Sequence, residues 1–413
     1  MRTINRRAMM TGSGAAAFSA AFGLPIPFGR YLPDGLKPIL SAEAVAQALD
    51  TSIDGKSGLS VLSDRPLNAE TPPQLLDEAI TSAQHMFVRN NGLTPNFSDE
   101  DIANWRLTID GEVETPLDLS IDDLRNDFDP VTLQLQIECG GNGRRFMTPA
   151  ARGNQWSFGA ISCAEWTGVR LADVLTKAGL KDTAVYTGHY GADPHLSGDP
   201  DKTPISRGVP IQKALEPHTI IAFAMNGQDI PLLNGHPLRL IASGWPGSCS
   251  QKWLTRIWVR DQVHDGPKMT GQSYRVPKFP VAPGVEVADE DMKIIESMPV
   301  RSVITTPITA SRVAPGVPFT VRGHAWAGDR AVNAMDISID FGASWQRATL
   351  DAPVNRFAWQ HWRTDLTLPE AGYFEVWARA TDDAGIMQPA TQPGWNPRGY
   401  LNNLQHRIAM FAV

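Results

Sequence analysis

The sequence is short of cysteine, of net charge and of long apolar runs. Its 413 residues include three cysteines, at positions 139, 163 and 249, and none forms a Cys-x-x-Cys or Cys-x-x-Cys-His motif. This excludes zinc ribbons, thioredoxin-type redox motifs and covalently attached c-type haem, and three cysteines are too few for a disulfide framework. The formal net charge of −7 argues against general nucleic-acid binding, which needs a basic face. No run approaches the roughly 18 apolar residues of a membrane span, so we expect no such span.

The composition is otherwise that of a globular protein. Hydrophobic residues make up 42% of the chain, which is enough for a sizeable core. The 35 glycines and 32 prolines indicate many loops. The length predicts two or three domains.

The first 30 residues have the composition of an export signal. Residues 1–30 contain no acidic side chain, and Arg6 and Arg7 precede a small and apolar stretch at 8–24. A basic start followed by an apolar segment is typical of secretory signals. The arginine pair favours the twin-arginine route, with an ordinary secretory signal as the alternative. We therefore predict an export signal over residues 1–30 and a periplasmic location.

Residues 40–290 predict an α+β domain, because short helices and strands mix there without βαβ regularity. Asp-Gly and Asn-Gly dipeptides indicate hairpin turns, and capping residues indicate helix ends. The predicted helices are 41–50, one that begins after Thr71-Pro72-Pro73, one that begins with a capping box at 120–123, and 171–178 ended by Gly179; the hairpins turn at Asp110-Gly111 and Asn226-Gly227.

The pattern changes after about residue 295. Apolar residues alternate at 337–341 and at 374–378, with turns about every ten residues, which is typical of an immunoglobulin-like β-sandwich. We place the domain boundary in the proline-rich stretch 277–299 and predict a sandwich over 295–413.

The sandwich is also predicted to form a two-fold dimer, because its outer strands are rich in aromatic residues and aromatic side chains are enriched at interfaces. The alternative is a monomeric sandwich with these rings in its core. The rings are Trp359, Trp362 and Trp377.

The most informative segment is 138–145. Cys139 follows an alternating apolar strand at 131–137 and enters a glycine-rich turn, and Arg144 and Arg145 come soon after. Neighbouring arginines favour the thiolate form of a cysteine, which is a soft metal ligand or a nucleophile. A nucleophile would need a histidine base, which the local sequence does not place. The remaining alternative is a buried, inert cysteine.

These residues resemble the sulfite oxidase family of molybdenum enzymes. Its Cys-x-Gly-Asn-Arg-Arg loop is similar to 139–145, with Gly143 as one extra residue. The extra glycine leaves open which of Arg144 and Arg145 faces the substrate. Further segments resemble the family in the same order, and together they span roughly residues 80–413. They are 87–90, 156–162, 166–171, 225–227, 236–239, 252–254 and 395–399.

The resemblance implies a molybdenum–molybdopterin cofactor whose metal is bound by Cys139. It also implies an anion pocket and a set of cofactor contacts, whereas Cys163 and Cys249 are read as structural. Asn91 and Asn234 stand where the family has histidine. The implied anion-pocket residues are Arg89, Arg144 or Arg145, Trp156, Tyr274 and Arg398. The implied cofactor contacts are Asn90, Asn91, His189, Asn234, Arg239 and Lys252.

The implied activity is that of a sulfite dehydrogenase, which oxidises sulfite to sulfate. We expect no haem in the protein, because the sequence has neither an attachment motif nor a haem domain ahead of the molybdenum domain. An external periplasmic cytochrome c is then the expected electron acceptor. The alternatives are a sulfane dehydrogenase subunit acting on protein-bound sulfur, a periplasmic sulfoxide reductase, and a non-catalytic binding module.

Overall fold

The computed structural model describes residues 24–39 and 52–413. The predicted helix at 41–50 and most of the predicted export signal therefore lie outside the described residues. No helix among the described residues is long and apolar enough to cross a membrane.

The part that precedes the sandwich mixes short helices with several sheets, which confirms the α+β prediction. Its strands are β1 (Ser60–Asp64), β2 (Leu67–Glu70), β3 (Val88–Arg89), β4 (Leu107–Gly111), β5 (Leu117–Leu119), β6 (Pro130–Glu138), β7 (Ile161–Arg170), β8 (Tyr186–Gly191), β9 (Arg207–Pro210), β10 (Ile220–Met225), β11 (Gln228–Asp229), β12 (Arg239–Ile241), β13 (Leu254–Arg260), β14 (Arg275–Pro277) and β15 (Met292–Ile294). Its α-helices are α1 (Asp99–Ala103), α2 (Ile121–Asn126), α3 (Leu171–Ala178) and α4 (Ile211–Ala214).

Two five-stranded sheets form the centre of this domain. One has the order β5-β4-β13-β8-β9, with β4 parallel to β13, and the other has the order β11-β10-β7-β6, with β12 also paired to β10. The longest ladder joins β6 and β7 and ends where Glu138 pairs with Ile161. Cys139 is thus the first residue beyond a long, firmly paired strand.

Most local predictions in this domain are confirmed. Helix α3 ends at Gly179, whose φ of 72° suits a residue without a side chain. Helix α2 begins with the predicted capping box, in which Ser120 Oγ accepts from Asp123 N at 3.0 Å. Strands β10 and β11 form the predicted hairpin at Asn226-Gly227. Strands β4 and β5 also pair, but the turn between them follows Gly111, which is the last residue of β4.

The helix predicted after Thr71 is wrong, since only a 3₁₀ turn forms at Pro73–Leu76. The chain is instead drawn against the sandwich, where Arg322 Nε donates to Asp77 Oδ1 at 3.1 Å. Leu76 is buried there between the domains, while Ile80 is 38% exposed. The apolar spacing that imitated a helix therefore reflects an extended contact with another domain.

The C-terminal part is the predicted β-sandwich. A four-stranded sheet β16-β18-β22-β21 faces a five-stranded sheet β17-β24-β23-β19-β20 across an apolar core. The strands are β16 (Arg301–Thr306), β17 (Ser311–Val313), β18 (Phe319–Trp326), β19 (Val332–Ser338), β20 (Gln346–Arg347), β21 (Thr349–Leu350), β22 (Gln360–Leu366), β23 (Gly372–Asp382) and β24 (His406–Ala412).

The aromatic residues assigned to a dimer interface lie inside the chain. Trp359, Trp362 and Trp377 are 3%, 0% and 1% exposed. Trp362 belongs to the sandwich core and Trp359 to the cluster between the domains. The prediction that these rings form a dimer interface is therefore wrong, because their surface is already buried within one protomer.

Part of the predicted export signal contacts the sandwich. Tyr373 N donates to Pro25 O at 2.8 Å, and the rings of Phe28 and Phe374 pack edge to face with centroids 5.7 Å apart. Further along, Tyr373 Oη donates to Ile39 O at 2.8 Å. Residues 24–39 thus pack against the sandwich, and cleavage at residue 30 would remove the contacts made by Pro25 and Phe28.

A buried ion pair joins the two domains beside Cys139. Arg301 Nε, at the start of β16, lies 3.1 Å from Glu138 Oε1, and the two side chains are 4% and 2% exposed. The hydrogen bonds to the Glu138 carboxylate come from Asn142 Nδ2 and Trp326 Nε1, at 3.0 and 2.8 Å. Burial raises the pKa of Glu138, and Arg301 opposes that shift. The sandwich therefore supplies the counter-charge for the residue that precedes the cysteine.

This pair predicts a large and asymmetric effect of mutation. Arg301→Met leaves Glu138 buried without its cation and should lower the free energy of unfolding by about 3–5 kcal/mol. The matched control is Arg363→Met, which breaks an exposed pair with Asp351 and should cost about 1 kcal/mol or less. Urea unfolding followed by circular dichroism measures both. Equal losses in the two variants would contradict the assignment.

Candidate active site

The turn that carries Cys139 depends on two glycines for close approach. Gly143 has a φ of 83°, and a Cβ there would lie 2.4 Å from the carbonyl oxygen of Asn402. A Cβ on Gly141 would lie 2.4 Å from the Arg144 guanidinium. The turn places Cys139 Sγ 3.4 Å from the backbone nitrogen of Gly141, which donates to it. A β-strand, a glycine turn and the sandwich together fix the sulfur.

Two cavities meet at Cys139. The inner cavity runs inward to the β12–β13 region, and the outer cavity opens on the side of residues 152–154 and 398–400. Among the predicted residues, Arg89, Asn90, Asn91, Cys139, Asn234, Arg239, Lys252 and Tyr274 line the inner cavity. Arg89, Asn90, Asn91, Cys139, Arg144, Tyr274 and Arg398 line the outer cavity.

The structure places Arg144, and not Arg145, at the outer cavity. Arg144 is 5% exposed, and its guanidinium donates to Arg398 O at 2.6 Å and to Asn154 O at 2.8 Å. Arg145 is exposed and lies in a separate groove with Glu70. The prediction of Arg145 as a catalytic residue is corrected accordingly. The cause is the 3₁₀ turn after Gly143, in which successive side chains point about 120° apart.

The motif at 395–399 returns the C-terminal chain to the Cys139 turn. Arg398 lines the outer cavity, and its Nε is buried without a hydrogen-bond partner among the described residues. Leu401 N donates to Gly140 O at 3.0 Å, and Asn402 Nδ2 donates to Gly143 O at 2.9 Å. Two backbone groups of the turn are thus paired to this segment, so it stays in register with the cysteine.

Arg89 and Tyr274 form the wall that the two cavities share. Arg89 Nη2 donates to Asn91 Oδ1 at 2.9 Å and to Tyr274 Oη at 3.3 Å. Burial lowers the pKa of Arg89, but the nearby Tyr274 and Cys139 outweigh it, so the net shift is upward. The Tyr274 ring stacks on Tyr400 with centroids 5.5 Å apart. Arg89 is therefore firmly cationic beside the thiol.

Two predicted site residues lie in the core instead. Trp156 is 0% exposed, packs edge to face on Phe87 and lines neither cavity. His189 is also 0% exposed and lines neither cavity; its Nε2 lies 2.8 Å from Thr187 Oγ1. Burial, with the nearby His264, lowers the pKa of His189 to about 3. Neither side chain thus reaches the two cavities, although Trp156 Nε1 and His189 Nδ1 are buried without a hydrogen-bond partner among the described residues.

The inner end of the inner cavity carries buried cations. Arg239 and Lys252 are 5% and 9% exposed. Burial lowers the pKa of Arg239 to about 9, and burial together with Arg239 lowers that of Lys252 well below its ordinary value. Arg239 Nε has no partner among the described residues. Such groups favour an anion of high charge, such as a phosphate.

Several site residues were missed from the sequence. Asp193 lines the inner cavity, and burial, opposed by Lys252, raises its pKa to about 6. Its only sequence signal is a polar, glycine-containing loop. Arg152, Lys268 and Tyr400 line the outer cavity. Only Tyr400 was adjacent to a recognised motif.

The side chains present fit a molybdenum–molybdopterin group. Cys139 offers one soft sulfur where the two cavities meet, which suits a redox metal. Arg239 and Lys252 offer positive charge for the cofactor phosphate at the inner end. The partnerless Arg239 Nε is a donor that a phosphate oxygen would satisfy.

Comparison with known proteins decides the family. Residues 92–268 match the family model for the oxidoreductase molybdopterin binding domain, and residues 292–412 match the Mo-co oxidoreductase dimerisation domain. Sulfite oxidase of Gallus gallus is 34% identical over 362 residues, which cover 85% of this chain and 77% of that protein. The chain belongs to the sulfite oxidase family.

Other proteins that are similar to this chain are named for different activities. Mitochondrial sulfite oxidase of Macaca fascicularis is 36% identical over 372 residues, and the chain spans 66% of that relative's length. A nitrate reductase [NADPH] of Aspergillus niger is 29% identical, over 84% of this chain and 43% of that protein's length. The sulfane dehydrogenase SoxCD of Paracoccus pantotrophus has the same fold, with a TM-score of 0.70, 24% identity and 91% of each chain covered.

We expect mutation of Arg144 to weaken anion binding and mutation of Arg145 to leave it almost unchanged. Arg144→Met removes a charge-assisted donor from the outer cavity and should weaken sulfate binding roughly ten- to a hundredfold. Arg145→Met is the matched control and should change it by less than about twofold, as expected of a surface residue. Calorimetric titration with sulfate measures both dissociation constants. A larger loss in Arg145→Met than in Arg144→Met would reverse the assignment.

Proposed function

We propose that the protein is a sulfite dehydrogenase that oxidises sulfite to sulfate and passes the electrons to an external cytochrome c. The observation that carries the proposal is the outer cavity, where Arg89, Arg144 and Arg398 surround one side of Cys139. Sulfite is a small oxyanion, and guanidinium groups bind oxyanions with charge-assisted hydrogen bonds. The sulfite oxidases among the relatives support the same substrate.

The cofactor would be held by residues of the inner cavity. Cys139 would bind the metal, Arg239 and Lys252 would face the phosphate, and Asn90 and Asn91 would border the pterin. When bound, the molybdenum–pterin group supplies two-electron oxidation of the substrate and single-electron release to a carrier. The chain itself supplies position, charge and shape.

Substrate binding rests on arginines that are held before the anion arrives. Arg144 is fixed by two carbonyl oxygens, of Arg398 and Asn154, and by its position over the Tyr400 ring, 5.1 Å from the centroid. Arg89 is fixed by Asn91 and Tyr274. Both arginine side chains are therefore ordered before sulfite binds. Little of the binding free energy would be lost to ordering them.

Location and electron acceptor are part of the same proposal. The predicted export signal at 1–30 would bring the protein to the periplasm. The net charge of −7 would favour encounter with a basic electron carrier, since charge complementarity speeds association. We further propose a homodimer formed through the C-terminal domain, which the match to the dimerisation domain supports.

The dimer can be tested apart from the chemistry. Light scattering at micromolar protein should give the mass of two chains. Deletion of residues 295–413 is not a clean test, because Arg301 supports the Cys139 turn. The intact chain is therefore measured, and the mass of a single chain at that concentration would reject the dimer.

The decisive assay combines turnover with metal content. Purified protein with sulfite and ferricyanide should reduce the acceptor and contain molybdenum, and Cys139→Ser should abolish turnover because serine is a harder ligand with a far higher pKa. Cys163→Ser is the matched control: Cys163 is buried away from both cavities, and burial raises the pKa of its thiol to about 12. Full activity in Cys139→Ser would refute the metal-thiolate assignment.

Assays of the same purified protein with other substrates separate the alternative functions. A protein that ignores free sulfite but oxidises protein-bound sulfane sulfur would be a sulfane dehydrogenase subunit. Turnover of nitrate or of sulfoxides with a reduced dye, without sulfite oxidation, would move it to the reductases. Absence of molybdenum would leave a binding module.

Arg398 carries a separate prediction because it comes from the other end of the chain. Arg398→Met removes the third guanidinium and should lower kcat/KM for sulfite roughly ten- to a hundredfold, the effect of one charge-assisted hydrogen bond. Molybdenum content should not change, since Arg398 does not line the inner cavity. Unchanged sulfite kinetics would show that other groups close the pocket.

A further inference from the structure

A further basic residue, Lys56, contacts Asn234, which lines the inner cavity. Lys56 comes from the turn before β1, far in sequence from every recognised motif. Its Nζ donates to the side-chain oxygen of Asn234 and, at 2.6 Å, to Ala83 O. The side chain is partly buried.

Asn234 links Lys56 to the cavity. It is 1% exposed and lines the inner cavity. Its backbone carbonyl oxygen accepts from Arg239 Nη1 at 2.7 Å, while its side-chain oxygen accepts from Lys56 Nζ. The bond to Lys56 orients the amide so that its NH₂ group donates toward Phe87 O, at 3.3 Å. One asparagine thus binds two basic side chains, Arg239 through its backbone oxygen and Lys56 through its side-chain oxygen.

This arrangement is costly without an anion. Burial, and then the charge of Arg239, lowers the pKa of Lys56 to about 7. Burial and Arg239 are also the main causes of the lowered pKa of Lys252, to which Lys56 adds a smaller contribution. Among the described residues that line the inner cavity, Asp193 is the one carboxylate. Arg89, Arg239 and Lys252 line the cavity against this one acid, and Lys56 adds positive charge behind Asn234. An anionic ligand would neutralise this excess of positive charge in a poorly solvated place.

We infer that Lys56 is a further cofactor-holding residue, which orients Asn234 and adds a third positive charge where the phosphate of the molybdopterin binds. Lys56 lines a neighbouring surface cavity rather than the inner one, so it acts through Asn234 and through its charge. It is a positioning residue and takes no part in the reaction. The inference rests on the molybdopterin site proposed above.

The experiment compares three full-length variants with the wild type. Lys56→Met removes the charge and the donor, and Lys56→Arg keeps both. Lys181→Met is the matched control, because Lys181 is exposed and lines neither cavity. The first readout is the amount of pterin per chain, measured by fluorescence after oxidation, and its half-time of loss on gentle warming.

Lys56→Met should lose pterin about tenfold faster than the wild type, as expected when one charge-assisted contact is removed. Lys56→Arg and Lys181→Met should behave like the wild type. Equal half-times in Lys56→Met and the wild type would overturn the inference and leave the proposed function standing. A wild type without pterin would instead defeat the molybdopterin assignment itself.

A second readout separates this role from a structural one. In cofactor-free protein, Lys56→Met relieves repulsion with Arg239, so its melting temperature should equal or exceed that of the wild type. In cofactor-loaded protein the order should reverse, because an anion contact is lost. A fall of the same size in both forms would show that Lys56 merely supports the fold.

Discussion

The Cys139 turn depends on the buried ion pair between Glu138 and Arg301. One charge ends a strand of the catalytic domain, and the other begins the first strand of the sandwich. Because removal of either charge leaves its partner desolvated, the two domains and the cysteine between them hold one arrangement. Arg301 also donates to the carbonyl oxygens of Asn142 and Asn402. The turn and the returning C-terminal segment are therefore fixed by the same guanidinium.

Charge is distributed along the two cavities in a way that separates their tasks. The inner cavity ends in cations held by asparagine and backbone oxygens, which in the proposed function would neutralise and retain the cofactor phosphate. The outer cavity carries Arg89, Arg144 and Arg398, which in the proposed function would bind sulfite and release sulfate. Cys139 lies where the cavities meet. Sulfate resembles sulfite in charge, so in the proposed reaction these arginines would serve both binding and release.

Local signals predicted what depends on neighbours in sequence, such as the capping box at Ser120 and the end of α3 at Gly179. The resemblance to a family named Cys139 and Arg398 but could not choose between Arg144 and Arg145, because that choice follows from the left-handed turn at Gly143. Aromatic content could not tell inner from outer strands of the sandwich. Lys56 carried no local signal, since its role arises from contacts with segments more than 25 residues away.

The central claim is that Cys139 binds the metal in a site assembled by both domains. X-ray absorption at the molybdenum edge tests it most directly, by counting the sulfur neighbours of the metal in the wild type and in Cys139→Ser. The account predicts one sulfur neighbour fewer in the variant, with a light atom in its place. An unchanged number of sulfur neighbours would contradict it.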